Sequence, residues 1–157
     1  MLSALCSLAL LLAPPQTAES MRRLNAATAL DDFHAAAAAS DEQRYFSYLA
    51  HDGEFLGTDP GERWTVAAFR NYAHPLFAAG KGWTYKVRSR SLHYEGDLAW
   101  FDEILDNAKY GACRGTGVLR RTSGEWKIVL YSLTFLVPND LAEKVTGEIQ
   151  AAGPTKK

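Results

Sequence analysis

The chain has 157 residues, which is enough for one domain and too few for two domains of ordinary size. Hydrophobic residues make up 47% and charged residues 22%, a globular composition that excludes a wholly disordered, collagen-like or coiled-coil chain. The formal net charge of −1 offers no basic surplus to neutralise phosphates, so the sequence predicts no nucleic-acid partner.

The first twenty residues have the pattern of a signal peptide. Residues 2–13 form an apolar run that is shorter than the roughly 20 residues needed to cross a bilayer. Residues 18–20, Ala-Glu-Ser, then supply the small residues of a signal-peptidase site. We therefore expect a signal peptide over 1–20, although no Lys or Arg precedes the apolar run. The alternative is an uncleaved apolar tail that packs on the domain.

Cleavage after Ser20 would leave a periplasmic or secreted domain over 21–152 and a flexible tail over 153–157. Cys113 would be its one cysteine, which excludes an internal disulfide. No second apolar run is long enough for a membrane helix, so no membrane association is expected after cleavage.

The first half of the mature chain reads as helical. Apolar spacing and a run of alanines predict a helix over 24–39. Ser40-Asp41-Glu42-Gln43 matches a capping box that restarts a helix through Leu49, and residues 51–56 follow as a short strand. Asp59 at the N-cap, with Pro60 and Glu62 behind it, predicts that another helix begins there.

From Trp83 onward the apolar period changes to two, which is typical of strands. In the first strand this pattern places Trp83, Tyr85 and Val87 on one face and Arg90 on the other. Further strands are predicted over 98–105, 114–121 and 126–137, followed by a terminal helix. Helices segregated from strands in hairpin succession predict an α+β fold, with helices packed on one face of a curved antiparallel sheet.

Several pieces of this order match one known superfamily. They are Phe55-Leu56-Gly57-Thr58-Asp59, Glu62-Arg63-Trp64, Gly82-Trp83, Ala99-Trp100-Phe101-Asp102-Glu103, Arg114-Gly115-Thr116-Gly117-Val118-Leu119, and Trp126-Lys127-Ile128 running to Val137-Pro138-Asn139-Asp140. Over about residues 24–145 the chain resembles the nuclear transport factor 2-like (NTF2-like, cystatin-like) superfamily, and within it the SnoaL-like domains.

The resemblance implies a cone-shaped fold that encloses a pocket between the sheet and the helices. Members of the superfamily include steroid isomerases, polyketide cyclases, dehydratases and pocketed proteins without known activity. Many dimerise through the sheet, so a homodimer is expected here.

Glu103 is the leading candidate for chemistry. It shares a strand face with Ala99, Phe101 and Leu105, so we expect it to point into an apolar space. A carboxyl group there would have a raised pKa and could act as a general acid or base. The alternative is a structural ion pair with Arg114 on the neighbouring strand.

Other side chains could complete such a site. Arg114 could orient a carboxylate or enolate oxygen, and Tyr131 could donate to a ligand carbonyl unless it is a core tyrosine with a structural partner. Asp52 is the second candidate base, and the neighbouring His51 could pair with it or simply begin a strand. Asp59 is better explained as a helix cap than as a catalytic group.

Trp64, Trp83 and Trp100 are candidate pocket-lining residues, and their number favours an apolar or aromatic ligand. The sequence has no metal-ligand spacing, phosphate-binding loop or nucleophile motif, so it predicts neither a metal nor a cofactor. Three hypotheses remain: a small-molecule-binding protein, a cofactor-independent isomerase, cyclase or dehydratase, and a dimeric interaction module. The fold cannot choose among them, because function depends on the site.

Overall fold

A computed structural model describes residues 18–153, with side chains from residue 26 onward. Its elements in chain order are α1 (Ala18–Ala38), α2 (Glu42–Ser47), β1 (Leu49–Leu56), β2 (Arg63–Thr65), α3 (Val66–Ala78), β3 (Lys86–Glu95), β4 (Leu98–Asn107), β5 (Gly111–Thr122), β6 (Glu125–Phe135), a 3-10 turn (Asn139–Leu141) and α4 (Ala142–Ala152). The predicted signal peptide up to residue 17 and the predicted tail from residue 154 lie outside the described residues. Within the described part, no helix is both long and apolar enough to span a membrane.

The six strands form one sheet in the order β2-β1-β6-β5-β4-β3. Strands β3 to β6 make the predicted antiparallel succession of hairpins. Strand β1, however, pairs with β6 in parallel, so the expectation of a wholly antiparallel sheet is wrong at this one pairing. The parallel pairing is possible because the long segment between β1 and β6 allows the crossover that parallel neighbours need.

Helices α1, α2 and α3 pack against this curved sheet, which confirms the predicted α+β fold. Helix α1 buries a stripe at helical spacing that includes Ala26, Leu30, Phe33 and Ala37. Its small alanines let the helix lie close to the sheet, while Phe33 reaches the aromatic core. The body of the predicted helix over 24–39 is therefore correct.

Helix α3 begins later than predicted. Asp59 does not cap a helix: its backbone N–H donates to the Glu62 carboxylate at 3.1 Å, and its own carboxylate accepts from Gly61 N–H at 2.8 Å. These bonds close a turn with the same residue types that a capping box uses. Sequence pattern alone could not separate the two outcomes.

What separates them is strand pairing. The residues after the turn form β2, which pairs with β1 through Leu56↔Arg63 and Glu54↔Thr65. Helix α3 then begins at Val66, and the Thr65 hydroxyl accepts from Ala68 N–H at 3.3 Å. The pairing places Trp64 beside Phe55 on the inner side of the sheet.

Helix α2 is also shifted relative to its predicted cap. Asp41, rather than Ser40, accepts from Arg44 N–H at 3.1 Å. Ser40 has a positive φ of 55° and its hydroxyl accepts from Gly82 N–H at 2.9 Å. The helix ends at Ser47 because Leu49, predicted to be helical, pairs with β6 instead.

Candidate functional site

A cavity of about 300 Å³ lies between the helices and the inner face of the sheet. Aromatic side chains make most of its wall, among them Phe33, Trp64, Trp83 and Tyr131. Among the described residues of the wall, Glu62 is the single Asp, Glu, Lys or Arg. The volume reaches the lower end of the range usual for small-molecule sites.

His34 brings an imidazole to this cavity. The spacing of α1 puts it on the buried face with Leu30 and Ala37, and it is 8% exposed. Its Nε2 lies 2.6 Å from Oε1 of Glu103. Because a buried polar group needs a partner, this bond explains how the apolar face of α1 accommodates a histidine.

Glu103 is the buried centre of a hydrogen-bonded cluster. It is 1% exposed, and its Oε1 accepts from His34 Nε2 and from the Tyr131 hydroxyl, the latter at 3.0 Å. Its Oε2 accepts from Arg90 Nε at 2.8 Å. Both carboxylate oxygens are thus used by protein donors.

The pKa of Glu103 is lowered, not raised as the sequence predicted. Burial alone would raise it, but the hydrogen bonds and charges of His34 and Arg90 together outweigh burial. The carboxylate is therefore ionised, and with both oxygens occupied it is poorly placed to take a proton from a ligand.

Arg90 reaches Glu103 because of an irregularity in β3. The register between β3 and β4 shifts between Val87 and Ser89, which reverses the facing of the residues that follow. Arg90 therefore lies on the inner face opposite Glu103, and its predicted orientation is wrong for this reason. Arg90 also donates to the exposed Asp31 at 2.8 Å.

The predicted Glu103–Arg114 ion pair does not form. Gly115, not Arg114, lies opposite Glu103 in the β4–β5 register. Arg114 is exposed on the other face of the sheet. A residue one position away on a strand points to the opposite face, so this one-step difference decides the partner.

Gly115 leaves the room that the Tyr131 hydroxyl needs. A Cβ at this position would overlap that hydroxyl and lie 3.0 Å from Glu103 Oε1. Gly115→Ala is therefore expected to lower the free energy of unfolding by about 1–3 kcal/mol, the usual cost of overpacking. Urea denaturation measures this.

Gly147→Ala is the control for that variant, because a Cβ at this position of α4 meets nothing within 4 Å. Replacing an exposed helical glycine in this way should stabilise the helix by up to about 1 kcal/mol. Equal stability of Gly115→Ala and the wild type would show that the cluster tolerates displacement of Tyr131.

The structure gathers some of the predicted site residues and separates others. Tyr131, Trp64 and Trp83 line the cavity, and Glu103 lies directly behind His34 and Tyr131. Trp100 is 45% exposed on the outer face, where it stacks on His93, and therefore does not line the cavity.

Asp52 also lies outside the cavity. Its carboxylate accepts from Arg120 Nη2 at 2.8 and 2.9 Å at the surface. The Arg120 hydrogen bond is the main cause that lowers its pKa. The neighbouring His51 side chain is 96% exposed, and its Nδ1 lies 3.9 Å from Asp52.

Two residues of the site were not predicted: His34 and Tyr45, both in the cavity wall. For His34 a signal was present, because a polar residue on the apolar stripe of a helix requires a buried partner. Cys113 is buried and free, and burial raises its pKa. Among residues 18–153, no group of His, Cys, Asp or Glu is arranged to hold a metal ion.

The lowered pKa of Glu103 predicts acid sensitivity. The unfolded chain binds this proton more tightly than the folded one, so protonation favours unfolding. The stabilising contribution is complete above the ordinary value of 4.5 and is lost as pH falls through the lower pKa of the folded state. Urea midpoints measured between about pH 3 and 6 should fall more steeply for the wild type than for Glu103→Gln. Parallel curves would contradict the assignment of Glu103 as a stabilising carboxylate.

Comparison with known proteins places this architecture. The family profile described as a SnoaL-like domain matches residues 26–138. No curated protein sequence matches the chain.

Solved structures with the same architecture come from several bacteria. A candidate dehydratase of the NTF2-like family from Streptomyces avermitilis has a TM-score of 0.66 at 12% identity, over 76% of this chain and 99% of that one. A candidate scytalone dehydratase from Novosphingobium aromaticivorans gives 0.64 at 11%, over 76% and 87%. A candidate ketosteroid isomerase from Shewanella frigidimarina gives 0.58 at 21%, over 69% and 94%.

At these identities the structural likeness shows the fold alone. The family profile, in contrast, covers most of the chain and agrees with the helices, the sheet and the cavity. The chain therefore belongs to the SnoaL-like domain family and has the NTF2-like α+β fold.

Proposed function

We propose that this protein binds a small neutral molecule in the cavity and that His34 transfers a proton on it. One observation carries the proposal: a cavity-lining imidazole is held through Nε2 by a buried, ionised carboxylate at 2.6 Å. The protein would then be a cofactor-independent enzyme of the isomerase or dehydratase type.

The hydrogen bond defines which nitrogen of His34 is basic. An ionised Glu103 can only accept, so Nε2 carries the proton and Nδ1 is the unprotonated nitrogen. The hydrogen bonds described for this ring use Nε2 alone. The carboxylate also stabilises the imidazolium that forms when Nδ1 takes a proton, as the acidic member of a catalytic triad does.

Glu103 itself is then a positioning residue. Its oxygens accept from His34, Tyr131 and Arg90, and it is not part of the cavity wall. This changes the predicted division of roles, in which Glu103 was the base.

The wall supports a neutral, largely apolar ligand. Aromatic rings dominate it, and no Lys or Arg among the described residues reaches it to neutralise a phosphate or carboxylate. The names of the structural neighbours also favour proton transfer, since a dehydratase and an isomerase both move protons on a carbon skeleton.

A probe of base catalysis tests the proposal without knowledge of the natural substrate. In 5-nitrobenzisoxazole a base removes the proton at C3, the C–H electron pair completes a nitrile, and the N–O bond breaks to release a coloured phenolate. We expect saturable acceleration, because the probe must bind in the cavity before a positioned base can act on it.

Binding without turnover is the alternative function, and Trp64 and Trp83 in the cavity wall can report it. Quenching of their fluorescence by the probe, with no release of phenolate, would contradict proton transfer and leave a binding protein. If the probe causes no quenching and is not turned over, that result contradicts a small-molecule site and favours the interaction module.

Export remains a proposal of its own. Cleavage after Ser20 would keep the buried positions described for α1, Ala26 and Leu30 among them, on the mature chain. N-terminal sequencing of protein from the periplasm or medium should find Met21 first; an intact N-terminus in the cytoplasm would contradict export.

A homodimer through the outer sheet face, where Leu98 and Trp100 are exposed, also remains a proposal, and light scattering would test it.

A further inference from the structure

Arg90 joins helix α1 to the buried carboxylate of Glu103. Its Nε donates to Glu103 Oε2 at 2.8 Å. Its Nη1 donates to the Asp31 carboxylate at 2.8 Å and to the Ala27 carbonyl oxygen at 3.4 Å. The Arg90 side chain is 11% exposed, and Asp31 lies at the surface. One guanidinium group therefore reaches from the surface of α1 to a carboxylate in the core.

The contacts of Arg90 on α1 lie on the same side of the helix as His34. Ala27, Asp31 and His34 follow one another at spacings of four and three residues, which places them in a row along one side. Arg90 therefore holds two successive turns of α1, and the next turn carries the imidazole. A slide or rotation of α1 that separated His34 from Glu103 would also have to break these hydrogen bonds.

Arg90 also fixes which oxygen Glu103 presents to the cavity residues. Its Nε occupies Oε2, so Oε1 accepts from His34 at 2.6 Å and from the Tyr131 hydroxyl at 3.0 Å. The guanidinium group is planar and rigid, so the directions of its N–H bonds are fixed relative to one another. A lysine has a single nitrogen on a flexible stem and cannot hold two carboxylates in that geometry.

Stability alone does not explain this arrangement. Burying an ion pair costs desolvation free energy, and replacing both partners with apolar residues of similar volume is often neutral or stabilising. The pair also depends on the irregularity in β3 that brings Arg90 to the inner face. Arg90 is not part of the described cavity wall, so its effect on a ligand has to pass through Glu103 and His34.

We propose that Arg90 is a positioning residue for proton transfer by His34. It locks the Glu103 carboxylate and the adjoining turns of α1, so that the imidazole keeps one orientation toward the cavity. This inference rests on the proposed function of His34. A displacement of about 1 Å at a reacting group can cost about 10²-fold in rate, so a lock of this kind has a large effect on catalysis. Asp31 acts one step further out, as the surface anchor of Arg90.

Arg90→Lys tests the proposal, because it keeps a positive charge beside Glu103 and removes the rigid guanidinium group. The rate of 5-nitrobenzisoxazole opening is measured on the full chain. The variant should lower the maximal rate by about 10- to 100-fold and leave the half-saturating concentration within about twofold, because the aromatic wall is retained. A purely structural role would leave the maximal rate per folded molecule unchanged.

Arg88→Lys is the matched control, because it makes the same change two residues earlier on β3. The Arg88 side chain is 57% exposed, and its Nε donates to Asp106 at 3.2 Å. This control should leave both kinetic parameters at the values of the wild type.

Asp31→Ala keeps the proposal testable if Arg90→Lys does not fold. The Asp31 side chain is 66% exposed, so its removal should change the melting temperature by no more than about 2 °C. It should nevertheless lower the maximal rate by about two- to tenfold, because Arg90 loses its surface anchor.

The proton on Nε2 of His34 gives a readout that does not depend on turnover. A proton held between an imidazole and a carboxylate at 2.6 Å gives a signal at low field in the proton NMR spectrum. Arg90→Lys and Asp31→Ala should shift this signal upfield and broaden it. Arg88→Lys should leave it in place.

The outcomes separate this inference from the proposed function. If the wild type does not accelerate opening of the probe, proton transfer fails and the role of Arg90 in it fails too. If the wild type is active, and Arg90→Lys and Asp31→Ala both keep its maximal rate and its low-field signal, the inference is overturned while the proposed function stands. A higher half-saturating concentration at an unchanged maximal rate would also overturn it, because Arg90 would then shape the cavity instead of orienting the base.

Discussion

Replacing His34 with glutamine is expected to slow proton abstraction from 5-nitrobenzisoxazole by about 10²–10⁴-fold, the usual contribution of a positioned general base. Glutamine can still donate its amide N–H to Glu103, so the buried carboxylate keeps a partner. It offers no basic nitrogen, however, so the step that requires one is lost. Initial rates over a range of probe concentrations measure the effect.

Those rates also separate chemistry from binding. Loss of a base should lower the maximal rate and leave the half-saturating concentration nearly constant, because the aromatic wall is retained. His51→Gln is the control, since it makes the same change on a side chain that is 96% exposed at the surface. If His34→Gln keeps the wild-type rate, another group is the base and the proposed mechanism is wrong.

Replacing Glu103 with glutamine is expected to lower the free energy of unfolding by about 3 kcal/mol, because it removes one charge from a buried ion pair. Arg90 would keep a single carboxylate partner, the exposed Asp31. Glutamine also has one acceptor oxygen where glutamate has two, so some of the donors that Glu103 now satisfies would lose their acceptor. Urea unfolding near neutral pH gives the value.

Two further variants test whether the loss of charge causes the lower stability of Glu103→Gln. Asp102→Asn changes the neighbouring, exposed residue and should alter stability by less than about 0.5 kcal/mol. Arg90→Met combined with Glu103→Gln should cost less than the sum of the two single changes, because no unpaired charge is then left buried. Strict additivity, or a fully stable Glu103→Gln, would contradict the buried ion pair.

Much of the fold could be predicted because local patterns and tertiary structure agree there. The helical spacing around Leu30 and the alternating pattern around Glu103 each predict one buried face. In the folded protein the same face packs against the core. The order of helices before hairpins limited the topology to an α+β arrangement. The inward orientation of Glu103 followed from strand periodicity alone.

The predictions failed where a distant pairing overrode a local pattern. The Asp59–Glu62 segment has the residues of a helix cap. The residues that follow it form strand β2 and pair with β1 instead of starting a helix. The alternation of side chains along β3 predicted Arg90 on the face opposite Trp83 and Tyr85. The register irregularity between Val87 and Ser89 instead places Arg90 on the inner face. Such choices depend on neighbours that are remote in sequence, and local propensity does not contain them.

By itself, the amino-acid sequence determined which faces of the helices and strands are apolar, and therefore the class of fold and the inward position of Glu103. Only the tertiary structure decided the site. It brought His34 within 2.6 Å of a carboxylate 69 residues away, made Arg90 its ion partner, and left Asp52 and Trp100 at the surface. The reason is physical: periodicity records burial along one element, whereas hydrogen-bond partners and charges meet only when separate elements pack together.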